Sequence, residues 1–598
     1  MREAALTLRH RGPDGFGEWA SGDRVAYLAH CRLAIIDLSE AGRQPLANGD
    51  GSLQLTFNGE IYNFQELRRE LIAAGHHFKS QTDSEVIVHG YAEWGDEVVT
   101  RLRGIFAFGL WDDARRRLLL ARDRIGVKPM FYAIHGSELS FASETRALLP
   151  ILHSARQINV DAMFQFLRNS YVTGAHTIWQ GISRLPPATT LVFDADHGTA
   201  TMHRYWEPGS TDASWTEQAA AEELQQLLAE SVSEELVSDV PVGVFLSGGI
   251  DSSLVTAFAA KASPSIDSFF VDFAGWQGSE RDDAQAAAEH FGTRHHVSTI
   301  DEESMYLGDP VHARQLFSAF DEPIGDPAIA PTWQLARRMR QHVTVALSGD
   351  GGDELFGGYG WYRQVGATPR RKLAWNVEKV RRAVGIGRDW PEGCADQHEY
   401  YHFLQSPSFT RSEFQMLFPQ WASRIQTLQA GITGAVRQGG DTGDQRYWQG
   451  LDFRTYLVDN NLARVDRASM AHGLEVRVPL LDHRIVELAT SLPEKLVSAQ
   501  GGGKPLLRSI AGSLMTEALQ SKPKQGFSFP MERLVQEADM TKALTHGALI
   551  GGGLLDGGGF GRWSSEGRRS NHSYKLWLLF VLEGWARQWL FPDFELAA

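Results

Sequence analysis

Two short glycine-rich segments, each placed directly after an apolar run, constrain the fold of this chain more than any other feature. The first glycine loop (residues 246–253) reads Leu-Ser-Gly-Gly-Ile-Asp-Ser-Ser, and the second glycine loop (residues 347–354) reads Leu-Ser-Gly-Asp-Gly-Gly-Asp-Glu. The apolar runs 242–245 and 343–346 have strand character, and a helix-like stretch from Leu254 to Lys261 follows the first loop. A glycine turn between a strand and a helix lets backbone N–H groups approach a phosphate at the positive end of the helix. The two loops therefore predict an α/β sheet that binds ATP.

The acidic residues of these loops, and the form of the first loop, indicate how ATP would be used. Asp251 and Asp353 are suited to hold the magnesium ion that accompanies ATP phosphates. The chain has no P-loop, since Lys504-Pro505 in its Gly-rich stretch breaks the required pattern. The first loop is instead similar to the Ser-Gly-Gly-x-Asp-Ser loop of ATP pyrophosphatases, which cleave between the α- and β-phosphates. The alternative for either loop is an ordinary turn between a core strand and a helix, but two such loops in order favour ATP.

The composition excludes several classes of protein. A chain of 598 residues is long enough for two or three domains. Its net charge of −15 argues against a nucleic-acid partner, which would need a basic surface. Its two cysteines, Cys31 and Cys394, build no disulfide framework, which indicates a reducing compartment. No signal-peptide core follows Met1, and the apolar run from Leu576 to Leu582 is too short to span a membrane, so we expect a cytoplasmic protein with no membrane partner.

The first 190 residues have the pattern of an α+β domain. Runs with strand character, bounded by Gly, Asp and Asn, occur at residues 25–28, 53–57 and 117–121. Apolar residues at helical spacing predict helices over residues 64–74 and 85–94. Asp83 and Ser84 stand where a side chain would cap the second helix. The polar segment 207–212 predicts the domain boundary.

The rest of the chain has the pattern of an α/β unit followed by a helical region. Residues 216–237 predict a long helix that leads into the first nucleotide strand. Strands then alternate with helices between residues 240 and 360, which is typical of a parallel sheet. Residues 395–598 are mostly helical in pattern, and we expect their Gly-rich stretch 551–561 to be a mobile loop.

Further short motifs follow one another in order over nearly the full length of the chain. Besides both glycine loops they are residues 10–14 (His-Arg-Gly-Pro-Asp), 32–37, 58–63 (Asn-Gly-Glu-Ile-Tyr-Asn), 82–85, 121–129, 466–471, 475–482, 504–508 and 524–527. In this order they resemble the glutamine-hydrolysing asparagine synthetase family. The resemblance implies an N-terminal-nucleophile glutaminase domain at residues 1–205 and an α/β ATP-pyrophosphatase synthetase domain with a helical C-terminal part at residues 215–598. It does not fix the substrate.

The resemblance also implies a glutamine site in the first domain. Arg32 is suited to hold the α-carboxylate of glutamine and Asp83 to pair with its α-ammonium. Asn58 and the amide of Gly59 would form an oxyanion hole, and Glu60 would help to position the substrate. Taken singly, Arg32 is equally compatible with a surface strand residue and Asp83 with a helix cap. Within the ordered set, the glutamine site is the favoured interpretation.

One requirement of the family is not met by the printed sequence. The family's nucleophile is a cysteine at the first position of the mature chain, and its own α-amino group serves as the base, whereas this sequence begins Met-Arg-Glu. Cys31 is mid-chain and has no free α-amine, so we expect it to be a small buried apolar residue. Two interpretations remain: the start of the chain is missing, or the protein uses free ammonia. We favour the first, because the glutamine-binding set is kept.

For the second domain the resemblance implies a two-step reaction. A substrate carboxylate, with aspartate as the default, attacks the α-phosphorus of ATP to give an acyl-adenylate, and ammonia then displaces AMP to give an amide. The residues implied to bind ATP are Leu246, Ser247, Gly248, Gly249, Asp251, Ser252, Ser253, Val271, Ser348 and Gly349. Asp350 is the position associated with the acyl-adenylate, and it could also accept a proton from ammonia. Lys504 would neutralise charge on the phosphates, and the apolar residues after it argue against a solvated lysine.

Several questions stay open at the level of sequence. Asp466, Arg467, Glu475 and Arg477 are expected to form a buried charge network, which either lines an ammonia path or substrate pocket or is purely structural. Related enzymes amidate sugar acids or close β-lactam or lasso-peptide rings, and the ring-closing members have generally lost the glutamine site. A non-catalytic nucleotide-binding relative is disfavoured by the intact acidic residues and lysine. The expected partners are small-molecule substrates and, as in many family members, a second copy of the chain.

Overall fold

The computed structural model describes most of the chain. The described residues are 1–152, 156–209, 211–212, 214–276, 278–365, 369–384, 396–406, 409–424, 445–497, 503–520, 531–565 and 571–594. The motif at residues 524–527 and the second cysteine, Cys394, lie outside these ranges.

Antiparallel sheets form the N-terminal part. The main sheet has six strands in the spatial order Thr199–Arg204, Thr189–Asp194, Arg117–Arg122, Gly104–Asp112, Leu53–Ile61 and Leu46–Ala47. Two smaller sheets pair Gly15–Ala20 with Tyr27–Arg32, and place Phe131–His135 between Glu138–Ala142 and Ser183–Arg184. In the main sheet Gly59 lies opposite Phe106 with a φ of 141°. A Cβ there would stand 2.0 Å from the carbonyl oxygen of Ile105, so this close approach of two strands requires glycine.

The second domain is built on a parallel sheet, as the alternation of strands and helices predicts. Its strands lie in the order Arg294–Ile300, Asp267–Phe273, Val242–Phe245, Val345–Leu347 and Glu475–Arg477, and each neighbouring pair is parallel. The two glycine loops follow the neighbouring strands Val242–Phe245 and Val345–Leu347. Since the carboxyl ends of parallel strands share one edge of the sheet, both loops lie at that edge. The edge strand Glu475–Arg477 comes from the region that sequence pattern describes as mostly helical.

Helices cover these sheets. In the first domain they are Arg2–Leu6, Phe64–Ala73, Glu85–Trp94, Val98–Arg101 and Val160–Asn169. Around the parallel sheet they are Glu217–Glu235, Ile250–Ala262, Arg281–Phe291, Pro310–Ala319, Ile329–Met339 and Gly352–Phe356. The later ones are Gly360–Gln364, Pro369–Ala383, Gln397–Gln405, Arg411–Leu417, Gln445–Arg454, Ala463–Met470, His483–Ser491, Glu494–Val497, Pro505–Ala511, Glu517–Gln520, Met531–Leu534, Glu537–Thr545, Ala548–Gly551, Gly557–Ser565 and His572–Trp585. The long helix predicted over residues 216–237 is confirmed, and the Thr216 side chain caps it by accepting from Ala219 N.

One local prediction in the first domain is shifted and another is wrong. The strand predicted at residues 25–28 is present but runs from Tyr27 to Arg32, because its pairing with Gly15–Ala20 begins at Tyr27, after a turn in which Arg24 has a φ of 63°. The second helix starts at Glu85 without a side-chain cap: Ser84 makes no capping bond there. Asp83 Oδ2 instead accepts from the backbone N–H of Ile61 at 2.8 Å, which leaves this carboxylate in the cavity described below.

The Gly-rich stretch 551–561 is not the expected mobile loop, because much of it is helical. The helices Ala548–Gly551 and Gly557–Ser565 are joined by a short turn. Phe560 and Trp563 are buried in the main hydrophobic core, one helical turn apart. A Cβ on Gly559 would stand 1.9 Å from the carbonyl oxygen of Met416, so glycine here permits close packing. Burial of the two aromatic side chains outweighs the entropic cost of ordering the glycines.

The apolar run from Leu576 to Leu582 is also part of the core. It lies in the helix His572–Trp585, and its side chains are buried. Within the described ranges, none of the helices combines the length and the apolar character that crossing a bilayer demands.

Candidate active sites

The two glycine loops contact each other at the edge of the parallel sheet. A Cβ on Gly349 would stand 2.7 Å from Ser252 N, and a Cβ on Gly352 would stand 2.6 Å from Asp251 Oδ1. Gly248 has a φ of 75°, in the region that favours glycine, so the first turn also depends on this residue type. The fold therefore joins segments about a hundred residues apart into one site.

The first glycine loop is ordered by its own serines. Ser252 Oγ accepts from Ser247 N at 3.2 Å and donates to Gly249 O at 3.2 Å. Gly249 precedes the helix Ile250–Ala262, and Ser253 N makes an early helical bond to Gly249 O at 3.0 Å. The N–H groups of the first helical turn have no partner within the helix, so they are available to a phosphate.

Lys504 lies between the acidic residues of the two loops. Its Nζ is 2.7 Å from Asp353 Oδ1 and also contacts Asp251 Oδ2. The residue is 3% exposed, which excludes a solvated lysine. Burial lowers the pKa of the ammonium, but the two carboxylates raise it, and the net pKa lies above the usual value. A Cβ on Gly358 would stand 2.4 Å from Lys504 Cε, so glycine leaves room for this arrangement.

Asp251 and Asp353 fit a magnesium site. Both carboxylates converge on one cationic group, the Lys504 ammonium, and carboxylate oxygens are ligands that Mg²⁺ prefers. In the part of the chain that the structure describes, no cluster of three or more His, Cys, Asp or Glu side chains could hold a metal ion. In enzymes that use ATP, Mg²⁺ is nevertheless usually bound by one or two carboxylates together with phosphate oxygens of the substrate.

Asp350 lies beside a charged pair that the sequence did not reveal. Ser348 Oγ donates to Asp350 Oδ2 at 2.7 Å, which orients this carboxylate. The buried Arg464 has its Nε 3.4 Å from Asp326 Oδ2. Burial lowers the pKa of Arg464, whereas the carboxylates of Asp326 and Asp350 raise it, and the net pKa is above the usual value. A guanidinium and two carboxylates therefore meet next to the second glycine loop. Arg464 stands only two residues before the motif at residues 466–471, and this proximity was the sequence signal that could have identified it.

A second group missed by sequence is the buried carboxyl of Glu354. Its Oε1 accepts from Tyr359 OH at 2.9 Å and from Asn461 Nδ2 at 2.8 Å. Burial, and then the adjacent carboxylate of Asp353, raise the pKa of Glu354 to about 8. This carboxyl group is therefore mostly protonated at neutral pH and adds no negative charge beside Asp353.

Of the two residues expected to contact the adenosine, Leu246 directly follows the strand Val242–Phe245, whereas Val271 lies inside the neighbouring strand, two residues before its end at Phe273. Both side chains are 1% exposed, and Leu246 N donates to Phe269 O at 3.0 Å. A nucleotide at this position would meet backbone groups of the two residues, because their side chains pack into the cores on either side of the sheet.

The residues predicted to bind glutamine lie together in the first domain. A cavity of about 620 Å³ is lined by all five of them: Arg32, Asn58, Gly59, Glu60 and Asp83. Asn58 Nδ2 is buried and has no hydrogen-bond partner among the residues that the structure describes, as an oxyanion donor requires. Arg32 Nη1 donates to Ser39 O at 2.8 Å, and Nη2 contacts the carbonyls of Ile36 and Asp37, so a backbone turn fixes the guanidinium.

Glu60 and Asp83 are neighbouring buried carboxyls in this cavity. Burial raises the pKa of Asp83 to about 6, although the hydrogen bond that the carboxylate accepts from Ile61 N lowers the pKa. Burial also raises the pKa of Glu60, and the nearby charge of Asp83 raises it further. Glu60 Oε2 accepts from Arg477 Nη2 at 2.7 Å. Glu60 therefore connects the cavity wall to the second domain.

Cys31 lines the same cavity without being activated. It lies in the strand Tyr27–Arg32 and is half-buried, less enclosed than the sequence led us to expect. Its thiol donates to Ala5 O at 3.4 Å. Burial raises the pKa of the thiol, although Arg9 opposes the rise. A thiol with a raised pKa is a poor nucleophile at neutral pH.

The predicted charge network exists and joins the two domains. Its ion pairs across the boundary are Arg11–Asp466 (2.8 Å), Arg467–Glu144 (3.1 Å), Lys128–Glu475 (2.9 Å) and Arg477–Glu60 (2.7 Å). Arg477 is fully buried, and its carbonyl oxygen accepts from Ser348 N at 3.0 Å. Arg477 thus bonds both to Glu60, which lines the cavity of the first domain, and to the second glycine loop. A cavity of about 40 Å³ lies at the same boundary, lined in part by Phe131 and Tyr171.

Taken together, the fold and its two sites define an enzyme in which a glutamine amidotransferase domain is joined to an ATP-pyrophosphatase-type ligase domain. A family model described as a glutamine amidotransferase domain matches residues 1–206, and one described as asparagine synthase matches residues 223–587. The chain belongs to the asparagine synthase family and is a carbon–nitrogen ligase of the glutamine-hydrolysing asparagine synthetase class.

Three similar proteins align with most of the length of this chain. A Mycobacterium tuberculosis protein provisionally named asparagine synthetase (glutamine-hydrolyzing) is 32% identical over 614 residues, which cover 98% of this chain and 93% of that one. Asparagine synthetase (glutamine-hydrolyzing) 1 of Bacillus subtilis is 32% identical and covers 89% and 84%. The amidase chry2 of Gibberella zeae is 26% identical and covers 88% and 84%. Sequence similarity over most of this chain therefore extends to proteins with different names.

Proposed function

We propose that the protein converts aspartate to asparagine at the expense of ATP, through an acyl-adenylate. The observation that carries the proposal is Lys504, held by Asp251 and Asp353 where the two glycine loops meet. A departing pyrophosphate needs many donors and a nearby cation, and this junction offers a helix N-terminus and a buried ammonium. The first glycine loop would bind the pyrophosphate, while Leu246 and Val271 would border the adenosine.

In the first step an oxygen of the substrate carboxylate attacks the α-phosphorus, and the bond to the bridging oxygen breaks. Lys504 would neutralise the charge that develops on the α-phosphate and on the pyrophosphate. Asp251 and Asp353 would hold magnesium, which supplies further charge neutralisation to the phosphates when bound. Ser348 and Gly349 would line the opposite side of the nucleotide, and Gly349 packs against the first loop.

In the second step ammonia attacks the acyl carbon, and AMP leaves. The attacking nitrogen becomes positively charged and must lose a proton. Asp350 is the acceptor that the geometry favours, because Ser348 Oγ holds its carboxylate at the second loop. Glu354 would not compete for this role, since its raised pKa keeps it mostly protonated at neutral pH.

The charged pair beside Asp350 supports an amino acid as the carboxylate substrate. Arg464 is suited to the α-carboxylate and Asp326 to the α-ammonium, which would leave the side-chain carboxylate of aspartate to meet ATP. A sugar acid offers neither an α-ammonium nor a second carboxylate. Amidation of another carboxylate is the alternative. Ring closure is disfavoured, because the complete glutamine-binding set is assembled in one cavity.

For the nitrogen source, we propose that the first domain binds glutamine through Arg32 and Asp83, with Asn58 and Gly59 N as oxyanion donors. Ammonia would then cross the domain boundary near the small cavity beside Arg467. Cys31 would not serve as the nucleophile, because it has no free α-amine to act as its base and burial raises the pKa of its thiol.

Product analysis tests the function. With ATP, aspartate and ammonium the enzyme should release AMP and pyrophosphate, and aspartate should promote exchange of labelled pyrophosphate into ATP. Succinate lacks the α-ammonium and β-alanine lacks the α-carboxylate, so both should support exchange poorly. Arg464→Gln should reduce the preference for aspartate over β-alanine, and Asp326→Asn the preference over succinate. ADP as the main product would refute the pyrophosphatase assignment, and exchange with sugar acids alone would refute aspartate.

A further inference from the structure

The helix Pro369–Ala383, called here the basic helix, differs in charge from the rest of the chain. It contains six basic residues and one acidic residue, a net charge of +5, within a chain whose net charge is −15. Like charges repel one another along a helix, so folding alone does not favour so many basic residues in one helix. A basic stretch in an acidic protein points to a negatively charged partner.

One face of the basic helix is fixed to the protein. Trp375 and Glu378 are buried, and the Trp375 ring lies 6.4 Å from the ring of Tyr400. The guanidinium of Arg371 lies 4.7 Å above the same tyrosine ring and donates to Gln364 O. Positions 371, 375 and 378 follow helical spacing, so they define the inner face.

The opposite face carries a stripe of exposed apolar side chains. Leu373 is 66% exposed, Val377 46%, Val380 65% and Val384, just beyond the helix end, 65%. Their spacing of four, three and four residues places them on one line about 16 Å long. The stripe is offset by two residues from the inner face, which is about 200° around the helix. It therefore points away from the residues that anchor the helix.

We propose that the basic helix is a docking surface for an anionic lipid bilayer, on which it lies parallel to the membrane plane. An outward apolar stripe flanked by lysine and arginine is the pattern of interfacial helices, which bury apolar side chains at the headgroup level and pair their cations with anionic lipids. Here Arg370, Lys372 and Lys379 are exposed beside the stripe. We expected no membrane partner from the sequence because it has no segment that could cross a membrane, whereas this helix would lie on the membrane surface.

Charge also decides between a bilayer and a second copy of the chain. A symmetric dimer through the stripe would bring two segments of net charge +5 together, and like charges across an interface oppose association. An anionic bilayer removes this repulsion and covers the apolar stripe at the same time. The surface would hold the enzyme at the membrane through residues that line neither candidate active site.

Vesicle co-sedimentation of the full chain tests the proposal. The protein should pellet with vesicles of phosphatidylcholine mixed with an equal amount of phosphatidylglycerol, and far less with phosphatidylcholine alone. Lys372→Glu with Lys379→Glu should lower the partition coefficient by about 30-fold or more, given about fivefold per cation near an anionic surface. Leu373→Ser with Val380→Ser should lower it by about tenfold or more.

Matched controls use exposed residues elsewhere on the molecule. Lys261→Glu with Lys542→Glu changes the net charge equally, and Val311→Ser removes an isolated apolar side chain that is 62% exposed. Neither control should change vesicle binding, and every variant should keep wild-type pyrophosphate exchange. The proposal is wrong if the wild type stays in the supernatant with both vesicles, or if the helix variants and the controls bind alike. It is also wrong if the serine variant only converts a dimer to a monomer.

Discussion

The sharpest prediction concerns Lys504→Ala. The Lys504 ammonium contacts two carboxylates, Asp251 and Asp353, and is almost fully enclosed. If it moves from these carboxylates to the phosphates in the transition state, its loss should lower kcat by about 10²-fold or more, or about 2.7 kcal/mol in the activation free energy. The KM for ATP should change less, because the first glycine loop would still bind the pyrophosphate without Lys504.

The same substitution has a structural cost that the assay must separate from catalysis. Without Lys504, two largely enclosed carboxylates face each other with no cation between them, and breaking a buried ion pair costs about 3–5 kcal/mol of stability. We therefore expect the variant to have a lower melting temperature than the wild type. Adding MgCl₂ should raise the melting temperature of the variant more than that of the wild type, because Mg²⁺ would replace the ammonium between the two carboxylates.

Steady-state kinetics should be run at a temperature where circular dichroism shows the variant folded. Lys495→Ala is the matched control, since that lysine is exposed on the short helix Glu494–Val497 nearby in the sequence. A loss of kcat below about threefold in folded Lys504→Ala would refute a role in the transition state. Equal losses of kcat in Lys504→Ala and Lys495→Ala would also refute that role.

Three further predictions follow from the first domain and the boundary. Glutamine affinity, measured by calorimetry, should rise as pH increases through about 6. Below that pH the raised pKa of Asp83 leaves its carboxyl neutral and unable to pair with the α-ammonium of glutamine. The Asp83→Asn variant should bind glutamine weakly and without this pH dependence. Arg477→Met should lower the free energy of unfolding by about 3–5 kcal/mol in urea titrations, because Glu60 and Glu475 lose their buried partner, and Arg477→Lys should recover part of it. Cys31→Ala should leave amide formation from ammonium, and from any glutamine that the enzyme hydrolyses, unchanged, because burial raises the pKa of this thiol; glutamine hydrolysis abolished by that substitution would contradict the inert thiol.

Local chemistry explains which parts of the fold were predictable. The helices Phe64–Ala73, Glu85–Trp94 and Glu217–Glu235 follow from apolar spacing, because a helix repeats every 3.6 residues whatever surrounds it. The strand Glu475–Arg477 did not follow, since three residues carry no periodic signal. It becomes a strand only because the neighbouring strand Val345–Leu347 offers it hydrogen bonds.

Glycine was the least predictable residue type. In the two loops it marks turns with positive φ next to groups that we expect to bind phosphate, as at Gly248. In the stretch 551–561 the same residue type lies within helices, where Gly559 allows a close approach to Met416. Sequence alone does not distinguish a glycine that frees the backbone from one that makes room for a neighbour, because the neighbour comes from elsewhere in the chain.

By itself the sequence determined the family, the positions of the two glycine loops and the set of residues expected to bind glutamine, since each depends on short motifs in the chain. Only the tertiary structure placed Lys504 between Asp251 and Asp353, set Arg464 and Asp326 beside Asp350, and linked Glu60 to Arg477. The ion pairs among these contacts join residues more than a hundred positions apart. Their charges can be buried only where the fold brings opposite signs within hydrogen-bond distance, and no local pattern encodes that meeting.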